Sequence, residues 1–210
     1  IVNGTDMVAL VNVIMNGGNN PSADVNNDGQ VNGTDMVALV NIIMKNDNAR
    51  ELMALGGEDE TPAAVKSEDE RISFANGGVK IGAEPIRTNG DGSRELTITL
   101  TNPQKDVTMV QMDVTLPEGL TLPIDDSTDM MAGRTSWHTH QIYSAASDDG
   151  RNVRLMLASG RNALIEGTEG GIIRLTLKAN DTFTGGDIVL HDMLCTSPDL
   201  EEATSRSEER

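Results

Sequence analysis

The stretch Asp24-Val25-Asn26-Asn27-Asp28-Gly29-Gln30-Val31-Asn32-Gly33-Thr34-Asp35 decides how the first quarter of the chain is read. Oxygen-bearing side chains fall at positions 1, 3, 5, 9 and 12 of this twelve-residue loop, and Gly29 falls at position 6. A hard cation such as calcium needs that spacing: alternate side chains converge on one point while the glycine permits a sharp turn. Asp24, Asn26, Asp28 and Asp35 are the expected side-chain ligands, with Asp35 where the usual loop has Glu. Gln30 offers its backbone carbonyl, and Asn32 binds directly or through water. Val31 points inward and ties the loop to a core. The competing reading is a polar turn rich in Asn, Asp and Gly; the glycine position and the helix pattern that follows both favour the cation.

Working outward, Val31-Asn32-Gly33-Thr34-Asp35-Met36-Val37-Ala38-Leu39-Val40-Asn41 repeats Val2-Asn3-Gly4-Thr5-Asp6-Met7-Val8-Ala9-Leu10-Val11-Asn12, identical over eleven positions at an offset of 29. A duplicated unit explains this. Each copy reads as a helix of about three turns opened by an aspartate. In the second, Met36, Leu39, Val40 and Ile43 form the apolar stripe, with Val37 and Met44 widening it. Neither helix is long enough to stand alone, so the stripes are expected to pack together. Of the first copy's loop, Asn3 and Asp6 are present, making an incomplete second calcium site whose remaining ligands would lie upstream of residue 1.

The doubled loop-helix pattern resembles the type I dockerin modules, which carry two calcium-binding EF-hand-type repeats that each lack the first helix. The resemblance covers roughly residues 1–46. It implies binding to a cohesin-like domain through helix surfaces that include the pair after the ninth loop position. Here that pair is Gly33-Thr34, with Gly4-Thr5 as its mate, so that two related binding orientations are implied.

Residues 47–69 change character. Ala49–Leu55 suggests a short helix, Gly56-Gly57-Glu58-Asp59-Glu60-Thr61-Pro62 breaks regular structure, and the rest is acidic; the segment reads as a linker. Beyond it the hydrophobic period becomes two. Val79 and Ile81, Leu96-Ile98-Leu100, Val110-Met112-Val114-Leu116, Val153-Leu155-Leu157, Ile173-Leu175-Leu177 and Ile188-Leu190 alternate with polar residues. Turn signals such as Asn89-Gly90-Asp91-Gly92 and Asp148-Asp149-Gly150 separate them. Eight to ten short strands in a two-sheet antiparallel sandwich are expected over residues 70–197, followed by a polar tail, 198–210. The runs Leu96–Asn102, Met112–Leu120 and Gly171–Ala179 resemble strands of cohesin-like and related carbohydrate-binding-like jelly-roll domains. Together with the dockerin-like repeats they are similar to secreted or surface proteins of Bacteroidetes-type bacteria, described as adhesion proteins.

The predicted fold class is therefore multidomain: a small all-α dockerin-like helix pair plus an all-β antiparallel sandwich. The net charge of −17 makes nucleic acid and an anionic membrane face poor partners. One Trp, one Tyr and two Phe are too few for a broad stacking platform, and a single Cys forms no intrachain disulfide. No apolar run reaches the roughly 20 residues of a membrane span. His138 and His140 stand two apart, as zinc ligands can on a strand, but a solvent-facing pair is the preferred reading; Trp137 is expected to be partly buried. Asp125, Asp126, Asp129, Asp148 and Asp149 read as solvated turns rather than a glycosidase pair. No nucleophile elbow surrounds any serine, Ser136 included, and Cys195 reads as a buried inert thiol. The expectation is a non-catalytic, extracellular protein–protein interaction or adhesion module pair. Its partner would be a cohesin-like domain in trans or between copies. The alternative is a carbohydrate-binding accessory protein of a polysaccharide-degrading system.

Overall fold

A computed structural model describes residues 2–17, 20–45, 63–64, 71–74, 77–123 and 130–204. Two helices come first: α1 (Gly4–Met15) and α2 (Gly33–Lys45), with a 3-10 turn, Pro21–Ala23, between them. Among the described residues twelve strands follow: β1 (Ala63–Ala64), β2 (Arg71–Phe74), β3 (Gly77–Ala83), β4 (Arg87–Thr88), β5 (Arg94–Thr101), β6 (Met109–Thr115), β7 (Leu120–Thr121), β8 (Gln141–Ala146), β9 (Asn152–Ala158), β10 (Glu169–Ala179), β11 (Val189–Thr196) and β12 (Glu202–Thr204).

All strand pairings are antiparallel, in two six-stranded sheets. One runs β1-β11-β6-β9-β8, with β12 also on β11; the other runs β2-β3-β5-β10-β7, with β4 also on β5. The alternating residues read from the sequence meet between them. Leu96, Ile98 and Leu100 face Val110, Met112, Val114, Val153, Leu155 and Leu157, joined by Ile173, Leu175, Leu177 and Ile188 in one buried cluster. The expected architecture, a helix pair plus an antiparallel sandwich, is the one observed. Two strands fall where linker and tail were expected: β1 lies in 47–69 and β12 in 198–210. Each pairs with β11, whose backbone groups would otherwise form an open sheet edge. Ala49–Leu55 lies outside the described residues.

Gly119 holds the turn after β6. Its φ is +85°, and a Cβ there would collide with the Phe183 backbone, so both conformation and space require glycine.

The helices lie against the outer face of the first sheet. Met7, Val8, Leu10, Ala23, Leu39, Val40 and Ile43 form a second apolar cluster with Met109, Met156, Ala158 and Leu194 from β6, β9 and β11. This cluster shares no residue with the core between the sheets. Val37 is 63% exposed and takes no part in the stripe.

Candidate functional site

The loop from Asp24 to Asp35 closes on its own backbone. Asp24 Oδ1 and Asn26 Oδ1 both accept from the Asp28 N–H at 3.0 Å, Asp24 Oδ2 accepts from Gly29 N–H at 2.9 Å, and Asp28 Oδ1 accepts from Gln30 N–H at 2.8 Å. Positions 1, 3 and 5 are thereby drawn around one turn, where Asn27 and Gly29 take positive φ of 59° and 85°. Asn26 Nδ2 donates to Asp28 Oδ2 and to Thr34 Oγ1, leaving Oδ1 as its donor atom toward a cation. Asp35 is fully buried, and its carboxylate accepts N–H bonds from Asn32, Val25 and Asn26 at 2.8 to 3.2 Å. Those bonds, the Asn32 bond foremost, hold its carboxyl below the usual carboxylate range against the opposing effect of burial.

Among the described residues no lysine, arginine or histidine bonds to Asp24, Asp28 or Asp35. Three carboxylates and two amide oxygens in one loop without a protein counter-charge fit calcium, which takes six to eight oxygen ligands. Asn32 also caps α2: its Oδ1 accepts from Thr34 N–H, while its own N–H donates to Asp35 Oδ2. Asn3 and Asp6 do the same for α1, where Asn3 Oδ1 accepts from Thr5 N–H and Asp6 Oδ2 accepts from Asn3 N–H.

The two Gly-Thr pairs have different surroundings. Gly4 is buried; its N–H donates to Gln111 Oε1 at 2.9 Å, and the Met109 side chain occupies the space a Cβ would need. Thr5 Oγ1 lies 3.1 Å from Thr196 Oγ1. Further along α1, Asn12 Oδ1 accepts from Asn162 Nδ2 and Asn12 Nδ2 donates to the Pro198 carbonyl. The first pair is thus seated on the chain's own sandwich. In α2 the counterparts Gly33, Thr34, Val37 and Asn41 are all exposed. From α2, the Ile43 carbonyl accepts from Arg154 Nη1 at 3.2 Å, while Arg154 also makes a two-pronged ion pair with Asp113 at 2.8 and 2.7 Å. A cleft of about 680 Å³ remains between Val40, Met44 and Lys45 of α2 and Ile142–Ala146 of β8.

This seat was not anticipated, though a signal existed. Met109-Val110, Leu155-Met156-Leu157-Ala158 and Met193-Leu194-Cys195 are continuous apolar runs that break the period of two, as strands covered on both faces do.

The remaining candidates resolve differently from one another. Residues 136–140 form a turn rather than a strand: Trp137 is 62% exposed and its ring lies 3.5 Å from that of His138, whereas His140 is buried. His138 and His140 therefore share no face, and Trp137 is exposed rather than partly buried, because the ring sits on the turn. Burial holds the His140 imidazole below its ordinary pKa, against the opposing effects of the Ala163 backbone and the Glu166 charge; its Nδ1 lies 2.9 Å from Thr139 Oγ1. Asp113, His191 and Asp192 bring ligand-type atoms within 4.8 Å of one another, but Arg154 already occupies Asp113 and Thr115 Oγ1 lies 3.1 Å from His191 Nε2. Cys195 is fully buried, which pushes its thiol pKa up. Asp148 and Asp149 are exposed at a turn; Asp125, Asp126 and Asp129 lie outside the described residues. No described helix is long and apolar enough to cross a membrane.

No protein-family model matches the chain, and no curated protein matches it. Solved structures similar to it in fold are cohesins. A type I cohesin–dockerin complex from Clostridium thermocellum gives 9% identity over 65% of this chain and 90% of that one, with a TM-score of 0.47. A non-cellulosomal cohesin from Archaeoglobus fulgidus gives 12% identity over 60% and 82%, at 0.44. A type II cohesin from Bacteroides cellulosolvens gives 11% over 59% and 89%, at 0.45.

Proposed function

We propose that the chain is a non-catalytic interaction module pair, secreted or displayed on a bacterial surface. Calcium at Asp24, Asn26, Asp28, Gln30, Asn32 and Asp35 shapes the helix pair, and the helix pair binds cohesin-like sandwiches. One observation carries this reading: Gly4, Thr5, Val8 and Asn12 of α1 sit on a sandwich, while their identical counterparts in α2 are exposed. A surface of the same residues is offered to another sandwich, on a different protein or a second copy, with the Thr34 hydroxyl also bonded within its own loop. Calcium binding neutralises the loop carboxylates and couples to loop folding.

The test is surface plasmon resonance of the full chain over immobilised cohesin-type sandwiches, with calcium and with EGTA, beside a glycan array. Calcium-dependent binding is expected, weakened about tenfold or more by V37D/N41D, since charges placed in an interface core are left unpaired. Glycan binding without any sandwich binding would replace this reading with the carbohydrate-binding one.

A further inference from the structure

We propose that the helix pair is a calcium-held cover over the outer sheet face formed by β6, β9 and β11, and that calcium withdrawal lifts it to open that face. This rests on the calcium reading above and adds a conformational consequence to it.

Three features of the packing carry the inference. First, the sandwich does not need the cover. Its core between the sheets is complete without any helix residue, and the apolar cluster under the helices is a separate body. Second, the seat has the composition of an interface rather than of a core. Around Met109, Met156, Ala158 and Leu194 it is pinned by polar bonds: Gly4 to Gln111, Thr5 to Thr196, Asn12 to Asn162 and Pro198, and Arg154 to the Ile43 carbonyl. Water can replace each of these when the surfaces part, so separation leaves no buried group unsatisfied. The open cleft between α2 and β8 shows that the cover is not flush along its whole length.

Third, the loop and the cover are one packing unit. Val25 and Val31 from the loop, and Ala23 just before it, pack in the same cluster as Met109 and Met156. Removing the ion leaves the charges of Asp24, Asp28 and Asp35 facing one another in the loop that places α2. Their repulsion acts directly on the residues that wedge the helix pair against the sheet.

Methionine oxidation reads the cover without any assay of binding. Met109 and Met156 are buried beneath the helices, whereas Met112 is buried between the sheets. The full chain is pulsed with hydrogen peroxide in calcium or in EGTA, and sulfoxide at each position is measured by peptide mass spectrometry. In EGTA, Met109 and Met156 are expected to oxidise at least about tenfold faster while Met112 stays protected, and D24N/D28N, which removes two of the repelling charges, should lose the difference between calcium and EGTA. If Met109 and Met156 keep the rate of Met112, the cover stays closed and the proposal is overturned. If Met112 accelerates with them, the sandwich itself unfolds and the proposal is equally overturned. Calorimetric calcium titration of the same sample separates the two levels: absence of binding removes the calcium reading, whereas binding without methionine exposure removes only the cover.

Discussion

Replacing Arg154 by Met probes the seat at its most electrostatically sensitive point. The Arg154 and Asp113 side chains are 10% and 7% exposed, joined by two short bonds, and Arg154 reaches on to the carbonyl of Ile43 near the end of α2. R154M leaves Asp113 beside Asp192 without its guanidinium. Breaking a buried pair by removing one partner costs about 3–5 kcal/mol; the residual exposure here places the expected loss near the lower end, about 3 kcal/mol. With a urea m-value of about 2 kcal/mol/M, the midpoint falls by about 1.5 M. The double variant D113L/R154M removes both charges together and is expected to recover to within about 1 kcal/mol of the parent, about 2 kcal/mol more stable than R154M. Far-UV circular dichroism is the suitable probe, because the one tryptophan, Trp137, is 62% exposed and its emission responds weakly to unfolding. A loss below about 1 kcal/mol for R154M is the value of a solvated surface pair and would refute the reading of Arg154–Asp113 as a buried pair.

Two further outcomes are expected. G119A forces a side chain into positive φ and against the Phe183 backbone, and should destabilise by about 2 kcal/mol or more in thermal or urea unfolding. His140 is held neutral by burial, so the unfolded chain binds the extra proton first: stability is full above the ordinary value of 6.5 and declines as pH falls below it toward the lowered folded value. H140Q should flatten that part of the stability–pH curve, and an unchanged slope would assign it elsewhere.

What the sequence disclosed was local. The loop spacing from Asp24 to Asp35 and the Gly-Thr-Asp helix starts are set within a few residues, and the capping bonds of Asn3 and Asn32 are made within that range. The inner strand faces followed from alternation for the same reason. Less local features were lost. β8 lacks a clean alternation, Gln141-Ile142-Tyr143-Ser144-Ala145-Ala146, and takes its conformation from its ladder with β9. The turn that exposes Trp137 is closed by bonds from Thr139 and His140 to the Ser136 carbonyl, which an apolar count does not register. Which sheet face receives the helices depends on strand order, and Met109 and Leu194 acquire their shared role only once β11 lies beside β6.

The bonds that seat α1 span 107 to 191 residues of chain. In synthesis the helix pair therefore emerges long before its seat, which is finished only when Thr196 and Pro198 have joined the sheet. Contacts of such separation form late and slowly, since loop closure precedes any gain from them. Until then the apolar side of two short helices is held together only by their mutual packing and the loop from Asp24 to Asp35. Under the proposed calcium reading, the ion's availability where the chain folds governs yield: a chain folded without it would present its methionine-rich helix stripe and its unfinished sheet together, the combination most prone to joining the wrong neighbour.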